Sequence, residues 1–191
     1  MDISGLIVEF GRQAVLYYRE KAGVVNEAQI PEVFIARFVA SAMTIQLRCP
    51  ALPEVYFTNM LTDLDIDGFE PAVVSRFGGL RADIGVYQDQ KPAAVVELKI
   101  VDESRPLQGV LGDFQKLLCL QRFISSRVGI TLDAYIAALV CDTSRPSADE
   151  LSERTIDKLR AKLENATLQH SDKMQARGGG WGWQFVCARL L

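Results

Sequence analysis

The ten residues PAAVVELKIV, 92 to 101, constrain the fold of this chain more than any other stretch. Val95, Val96, Leu98, Ile100 and Val101 predict a buried β-strand, yet Glu97 and Lys99 stand inside it. A carboxylate or an ammonium in an apolar interior is costly unless it meets a partner. The strand therefore either has one wet face or holds its two charges for chemistry. Side chains alternate along a strand, so Glu97 and Lys99 share one face while Val96, Leu98 and Ile100 share the other.

A second apolar stretch, 81–87, lies just upstream, and the turn-forming QDQKP between them predicts a hairpin with 93–101. With Gln90 at the centre of a symmetric turn, Tyr87 faces Ala93, Gly85 faces Val95 and Asp83 faces Glu97. A two-residue slip keeps Asp83 on that face, whereas a one-residue slip removes it. Directly opposed side chains have Cβ atoms about 4.5–5.5 Å apart, and like charges so placed repel. Two carboxylates there call for a cation. Lys99 provides part of that charge, and a hard divalent ion such as Mg²⁺ suits an oxygen-ligand site. Gly85, on the same face, leaves room beside it. The expected constellation is Asp83, Glu97 and Lys99 converging on one pocket; the plainer alternative is a solvent-side Glu–Lys pair on an edge strand.

The rest of the chain predicts one domain over residues 1–191, since 191 residues at 49% hydrophobic suffice for one buried core. Helical spacing marks 5–22, with Ser4 as N-cap and Gly23 as stop, then 31–47, with Pro31 in the first turn. Strands are expected at 72–77, 81–87 and 93–101, followed by a helix over 108–126. DAYIAALVCD reads as a strand covered on both faces. The capping box SADE, Ser147 to Glu150, opens a charged helix to about residue 168, and WGWQFVCARL closes the chain as a strand. This order implies an α/β fold with a mixed central sheet flanked by helices.

Composition excludes several functions. Four cysteines without a C-x-x-C spacing argue against a zinc ribbon and for reduced, packed thiols. A single histidine, His170, rules out a His-based metal cluster and reads as a solvated helix-end residue. No apolar run reaches the ~18 residues of a membrane span, and MDISGLIVEFGRQ lacks a basic start and a cleavage site. The expectation is a cytoplasmic protein without membrane contact. DLDIDG resembles the start of an EF-hand loop, but Val74 stands where its last ligand belongs, leaving an acidic surface loop. Trp181 and Trp183 read as packing residues rather than as a platform for stacked bases. The net charge of −3 does not draw nucleic acid, which would need a bound cation or a local basic rim. Arg76, Arg81, Lys91, Arg105, Lys116 and Arg122 are the candidates for such a rim, and scattered solvated charges are an equal account of them.

RADIGVY followed by PAAVVELKI resembles the motif hairpin of the PD-(D/E)XK nuclease superfamily. The resemblance implies a restriction-endonuclease-like three-layer sandwich whose α-β-β-β-α-β core spans about 31–141, with additions at both ends. It also implies a metal-dependent nuclease that hydrolyses phosphodiester bonds in nucleic acid, with DNA expected ahead of RNA. Asp83, Glu97 and the main-chain carbonyl of Leu98 would hold Mg²⁺, or Mn²⁺ in its place, and Lys99 would position or activate the attacking water. Glu32, in PEVFIARF, matches a glutamate that some members carry on the first core helix. Gln115, in DFQKLLCL, matches a helix glutamine, although Cys119 stands where the Q-x-x-x-Y pattern has Tyr and Ala82 where the motif has Pro. The alternative within the same fold is a catalytically inactive binding or assembly module. Nucleic acid is the expected partner, and either reading is compatible with a homodimer or a partner protein.

Overall fold

The computed structural model describes residues 2–24, 26–102, 108–141, 156–158, 160–161, 166–175 and 182–190. Helix α1 (Ile3–Ala22) starts from Asp2, whose carboxylate accepts the Gly5 N–H at 3.0 Å. Asp2 is therefore the cap, and Ser4, the expected one, is buried in the first turn. Gly23 ends the helix in the left-handed region (φ 65°), where a residue without Cβ is least strained. A 3₁₀ turn (Glu27–Gln29) leads to α2 (Glu32–Leu47), with Pro31 just before its first residue. Helices α1 and α2 cover one face of the sheet through Ile7, Val15, Ile35, Val39 and Met43.

The next segment departs from expectation. Strand β1 (Ala51–Tyr56) and helix α3 (Phe57–Asp63) had no clear periodicity to announce them. In β1, Pro53 and the left-handed Glu54 (φ 55°) interrupt the alternation, which only an edge strand tolerates. Residues 72–77, expected as a strand, lie within α4 (Pro71–Phe77). Pro71 is suited to a first helical turn, and the buried residues Val73 and Phe77 stand four apart. So short an apolar run cannot by itself distinguish helix from strand.

Strands β2 (Arg81–Gln88) and β3 (Lys91–Val101) form the expected antiparallel hairpin. Its turn is Asp89–Gln90, both at positive φ (50° and 65°), the geometry that best matches the twist of paired strands. Gln88 therefore pairs with Lys91, and Tyr87 with Pro92 rather than with Ala93. A bulge between Val86 and Tyr87 absorbs the difference, so that Gly85 faces Val95 and Ile84 faces Val96 as expected.

Helix α5 (Gln108–Val128) then crosses over to β4 (Asp133–Cys141), which runs parallel to β3. Together with α3 and α4 it covers the second face, around Phe57, Phe77, Leu117, Leu120 and Ile124. The capping box lies outside the described residues. Helical turns persist at 156–158 and 160–161, but 166–168, expected to close that helix, belong to strand β5 (Ala166–His170). Pairing with β7 (Gly182–Leu190) overrides the local helical signal there. His170 is thus an exposed strand-end residue, its Nδ1 3.0 Å from Gln184 Nε2. Strand β6 (Met174–Gln175) also pairs with β7.

The result is an α/β fold with an open, mixed, seven-stranded sheet, order β1-β2-β3-β4-β7-β5 with β6 on β7, flanked by helices on both faces. Trp183 is buried beneath α1 and α2, and Trp181 lies outside the described residues. The four cysteines form no disulfide. Among the described residues, no helix is long and apolar enough to cross a membrane.

Where α1 crosses β7 there is no space for a side chain at Gly11. A Cβ there would stand 2.4 Å from ring atoms of Phe185, itself fully buried. Gly11→Ala is expected to lower stability by about 1–3 kcal/mol, because Phe185 has no open space to turn into. Urea denaturation measures it, and an unchanged midpoint would show that the helix slides without cost.

Candidate functional site

The candidate site lies where the sheet comes apart. Pairing between β2 and β3 ends at Ile84 and Val96. Beyond that point the start of β2 stays with β1, Ala82 opposite Val55, while β3 continues along β4 as far as Val101. The N–H groups of Leu98 and Ile100 would be orphaned on this opened edge, and two carboxylates take them. Asp83 Oδ2 accepts from Leu98 N–H at 2.7 Å, and Glu32 Oε1 accepts from Ile100 N–H at 2.9 Å. A strand residue presents its N–H and C=O to the same edge, so the Leu98 carbonyl shares this gap.

On the α5 face of β3, Glu97 is almost wholly enclosed, 2% exposed, and its Oε1 meets the Lys116 ammonium. Lys116 Nζ also lies 3.1 Å from Asp113 Oδ1 and donates to the Arg81 carbonyl at 3.2 Å. Lys99 Nζ lies 3.2 Å from Asp113 Oδ2 and 3.8 Å from Glu32 Oε2. The cluster therefore joins Glu32 from α2, Asp83 from β2, Glu97 and Lys99 from β3, and Asp113 and Lys116 from α5. Four carboxylates face two ammonium groups.

Burial and the neighbouring Asp83 carboxylate push the Glu97 carboxyl up to about 8, against the opposing pull of Lys116. Burial pulls the Lys99 ammonium down, but Asp113, Glu32 and Asp83 outweigh it and hold the group above its usual range. Lys99 is consequently charged at neutral pH. In this state it can orient a ligand and stabilise negative charge, but it has no lone pair with which to take a proton.

Glu32, Asp83, Glu97 and Lys99 are thus brought together. Gln115 is exposed and makes no hydrogen bond to these groups among the described residues. Its place is taken by the flanking Asp113 and Lys116. Asp113 was not foreseen, although its spacing three residues before Lys116 puts both on one side of α5. Three of the six residues of the expected basic rim, Arg81, Lys91 and Lys116, are paired with acids within the chain. Arg81 pairs with Glu54 at 3.2 Å and Lys91 with Asp65 at 3.7 Å. Arg76 lies 2.9 Å from Cys119 Sγ and over the rings of Phe77 and Phe123. Arg122 is exposed, and Arg105 lies outside the described residues. In the acidic loop, Asp63 accepts from the Tyr87 hydroxyl at 3.1 Å and Asp67 from Phe69 N–H at 2.9 Å, so these acids serve the local structure.

Among the described residues, no three His, Cys, Asp or Glu side chains draw together as a set that would hold a metal ion. The residues that could hold an ion are the carboxylates of Asp83 and Glu97 and the Leu98 carbonyl, with water completing the shell. Mg²⁺ is commonly held in this way, by one or two carboxylates and a largely aqueous shell. The high proton affinity of Glu97 comes first from its burial and only then from the negative charge of Asp83. Compared with models of known families, with curated proteins and with solved structures, the chain matches none.

Proposed function

We propose that this chain is a metal-dependent nuclease of restriction-endonuclease-like fold that hydrolyses phosphodiester bonds in nucleic acid, with DNA as the expected substrate. The observation that carries the reading is the parted hairpin. Asp83 and Glu97 come from strands that diverge at that point, Lys99 follows Glu97 by two, and Glu32 reaches in from α2. The order α2-β1-β2-β3-α5-β4, with α3 and α4 inserted between β1 and β2, lends further support, since apart from that insertion it follows the α-β-β-β-α-β core that the motif implies. Asp83, Glu97 and the Leu98 carbonyl would hold Mg²⁺ or Mn²⁺. When bound, such an ion supplies an acidified water and charge neutralisation at the phosphate.

The chain's own groups have separable roles. Lys99, tethered by Asp113 and Glu32, presents a fixed positive charge that orients the attacking water and favours the more negative transition state. Asp83 holds the Leu98 N–H and so fixes the adjoining carbonyl. Glu32 holds both Lys99 and the far end of the opened edge. Gln115, exposed on α5 two residues after Asp113, would touch substrate or only solvent.

Asp83→Asn and Lys99→Ala are expected to lower Mg²⁺-dependent cleavage of a duplex DNA by roughly a thousandfold or more. The asparagine keeps an acceptor for Leu98 N–H, so circular dichroism and thermal midpoint should remain close to wild type. Cleavage unchanged in both variants would overturn the assignment. One observation favours the second reading, a binding or assembly module that does not cut: Glu97 already has a cation in Lys116. That reading predicts nucleic-acid or protein binding by the wild type with no magnesium-dependent turnover.

A further inference from the structure

Lys116 is more completely engaged than any surface lysine needs to be. An ammonium has three N–H donors, and three oxygens surround this one: Glu97 Oε1, Asp113 Oδ1 and the Arg81 carbonyl. The Phe57 ring lies 5.7 Å from the same nitrogen, and the side chain is only 18% exposed. Two carboxyl oxygens and one carbonyl are also the ligand types that a hard divalent ion prefers. Lys99, by contrast, is held by Asp113 and Glu32. One carboxylate of the proposed metal site is therefore already occupied by an ammonium delivered from α5.

We infer that Lys116 is a resident counter-ion that competes with the metal: it holds Glu97 in the ion-free chain and must release it before a divalent ion can bind. The inference rests on the metal-site reading above and gives that site its regulation. Lys116 sets how much free divalent ion is needed to load the site, and loading turns the α5 ammonium out towards solvent or substrate. The tether at Asp113 makes this an exchange of partners, because Asp113 Oδ1 and the Arg81 carbonyl remain available when Glu97 is given up.

The test measures Mn²⁺ affinity directly, by titration calorimetry and by the electron paramagnetic resonance signal of free Mn²⁺, in mildly alkaline buffer where protons compete least. Lys116→Met removes the charge and keeps an apolar stem of similar length. Lys116→Gln is the second variant and retains donors for Asp113 and the Arg81 carbonyl. Both should bind Mn²⁺ more tightly than the wild type, on the order of tenfold or more, the scale of one unit charge at close range in a partly buried site. Without metal both should melt below the wild type, since Glu97 has lost its positive neighbour. Added Mn²⁺ should raise their melting temperatures by more than it raises that of the wild type. Mn²⁺ binding by the variants alone supports the inference as well. Equal or weaker Mn²⁺ binding in both variants overturns it, and leaves the nuclease reading standing if the wild type binds Mn²⁺ and cuts. No Mn²⁺ binding by any of the three proteins overturns both.

Discussion

Glu97→Gln should level the decline in stability that the wild type shows between about pH 4.5 and about pH 8. Glu97 binds its proton more tightly in the folded chain than in the unfolded one, first because it is buried and then because Asp83 is close. Below the unfolded value both states carry the proton and the folded protein has its full stability. As pH rises through the window the unfolded chain gives up the proton while the folded chain keeps it, so unfolding becomes progressively easier. The slope approaches about 1.4 kcal/mol per pH unit, and the loss by the end of the window is on the order of a few kcal/mol. Glutamine carries no such proton and should remove this component. Urea denaturation of both proteins at several pH values, without divalent ions, measures the effect. Parallel profiles would show that Lys116 neutralises Glu97 completely.

Arg19→Met should cost about 3–5 kcal/mol at neutral pH, as expected when one partner of a buried ion pair is removed. Arg19 Nε stands 3.0 Å from Glu27 Oε1, and the two side chains are only 10% and 4% exposed. The same guanidinium donates to the Gln175 carbonyl at 3.4 Å, so it joins α1, the 3₁₀ turn and β6. Burial already holds the Glu27 carboxyl above its usual range even with Arg19 present. Without the arginine the cost should shrink in acid, where Glu27 takes up a proton. The double variant Arg19→Met/Glu27→Gln should recover part of the loss, and a double-mutant cycle gives the coupling. Coupling below about 1 kcal/mol would place the pair with ordinary surface ion pairs.

The parts of this molecule that were legible in its sequence are those where local signals agree. Residues 81–101 combine apolar alternation, a polar turn and charges on one strand face, and a hairpin satisfies all three, although its pairing stops at Ile84 and Val96, one step short of Asp83 and Glu97. Its turn also differed, because Asp89 and Gln90 take left-handed conformations that neither residue type advertises as glycine would. Elsewhere local signal and tertiary context conflict. Val73 and Phe77 fit a helix as well as a strand, and β1 hides behind Pro53 and a left-handed Glu54. Strand β5 exists because β7 offers it an edge, information held some twenty residues away. Asp113 and Lys116 could be assigned to a polar helix face, but not to the particular strand that face would meet. The helix connection between β3 and β4 decides that, and such a connection shows in topology rather than in residue type.

The two carboxylates that close the opened edge of β3 make the site part of the sheet's own seam. Asp83 and Glu32 stand in for a missing strand, so whatever draws either side chain away leaves a backbone amide of Leu98 or Ile100 exposed to exchange with solvent. Those two amides are therefore built-in reporters. Their hydrogen-exchange rates register occupancy of the cleft without any substrate turnover, and they couple the width of the gap between β2 and β3 to the state of its acids.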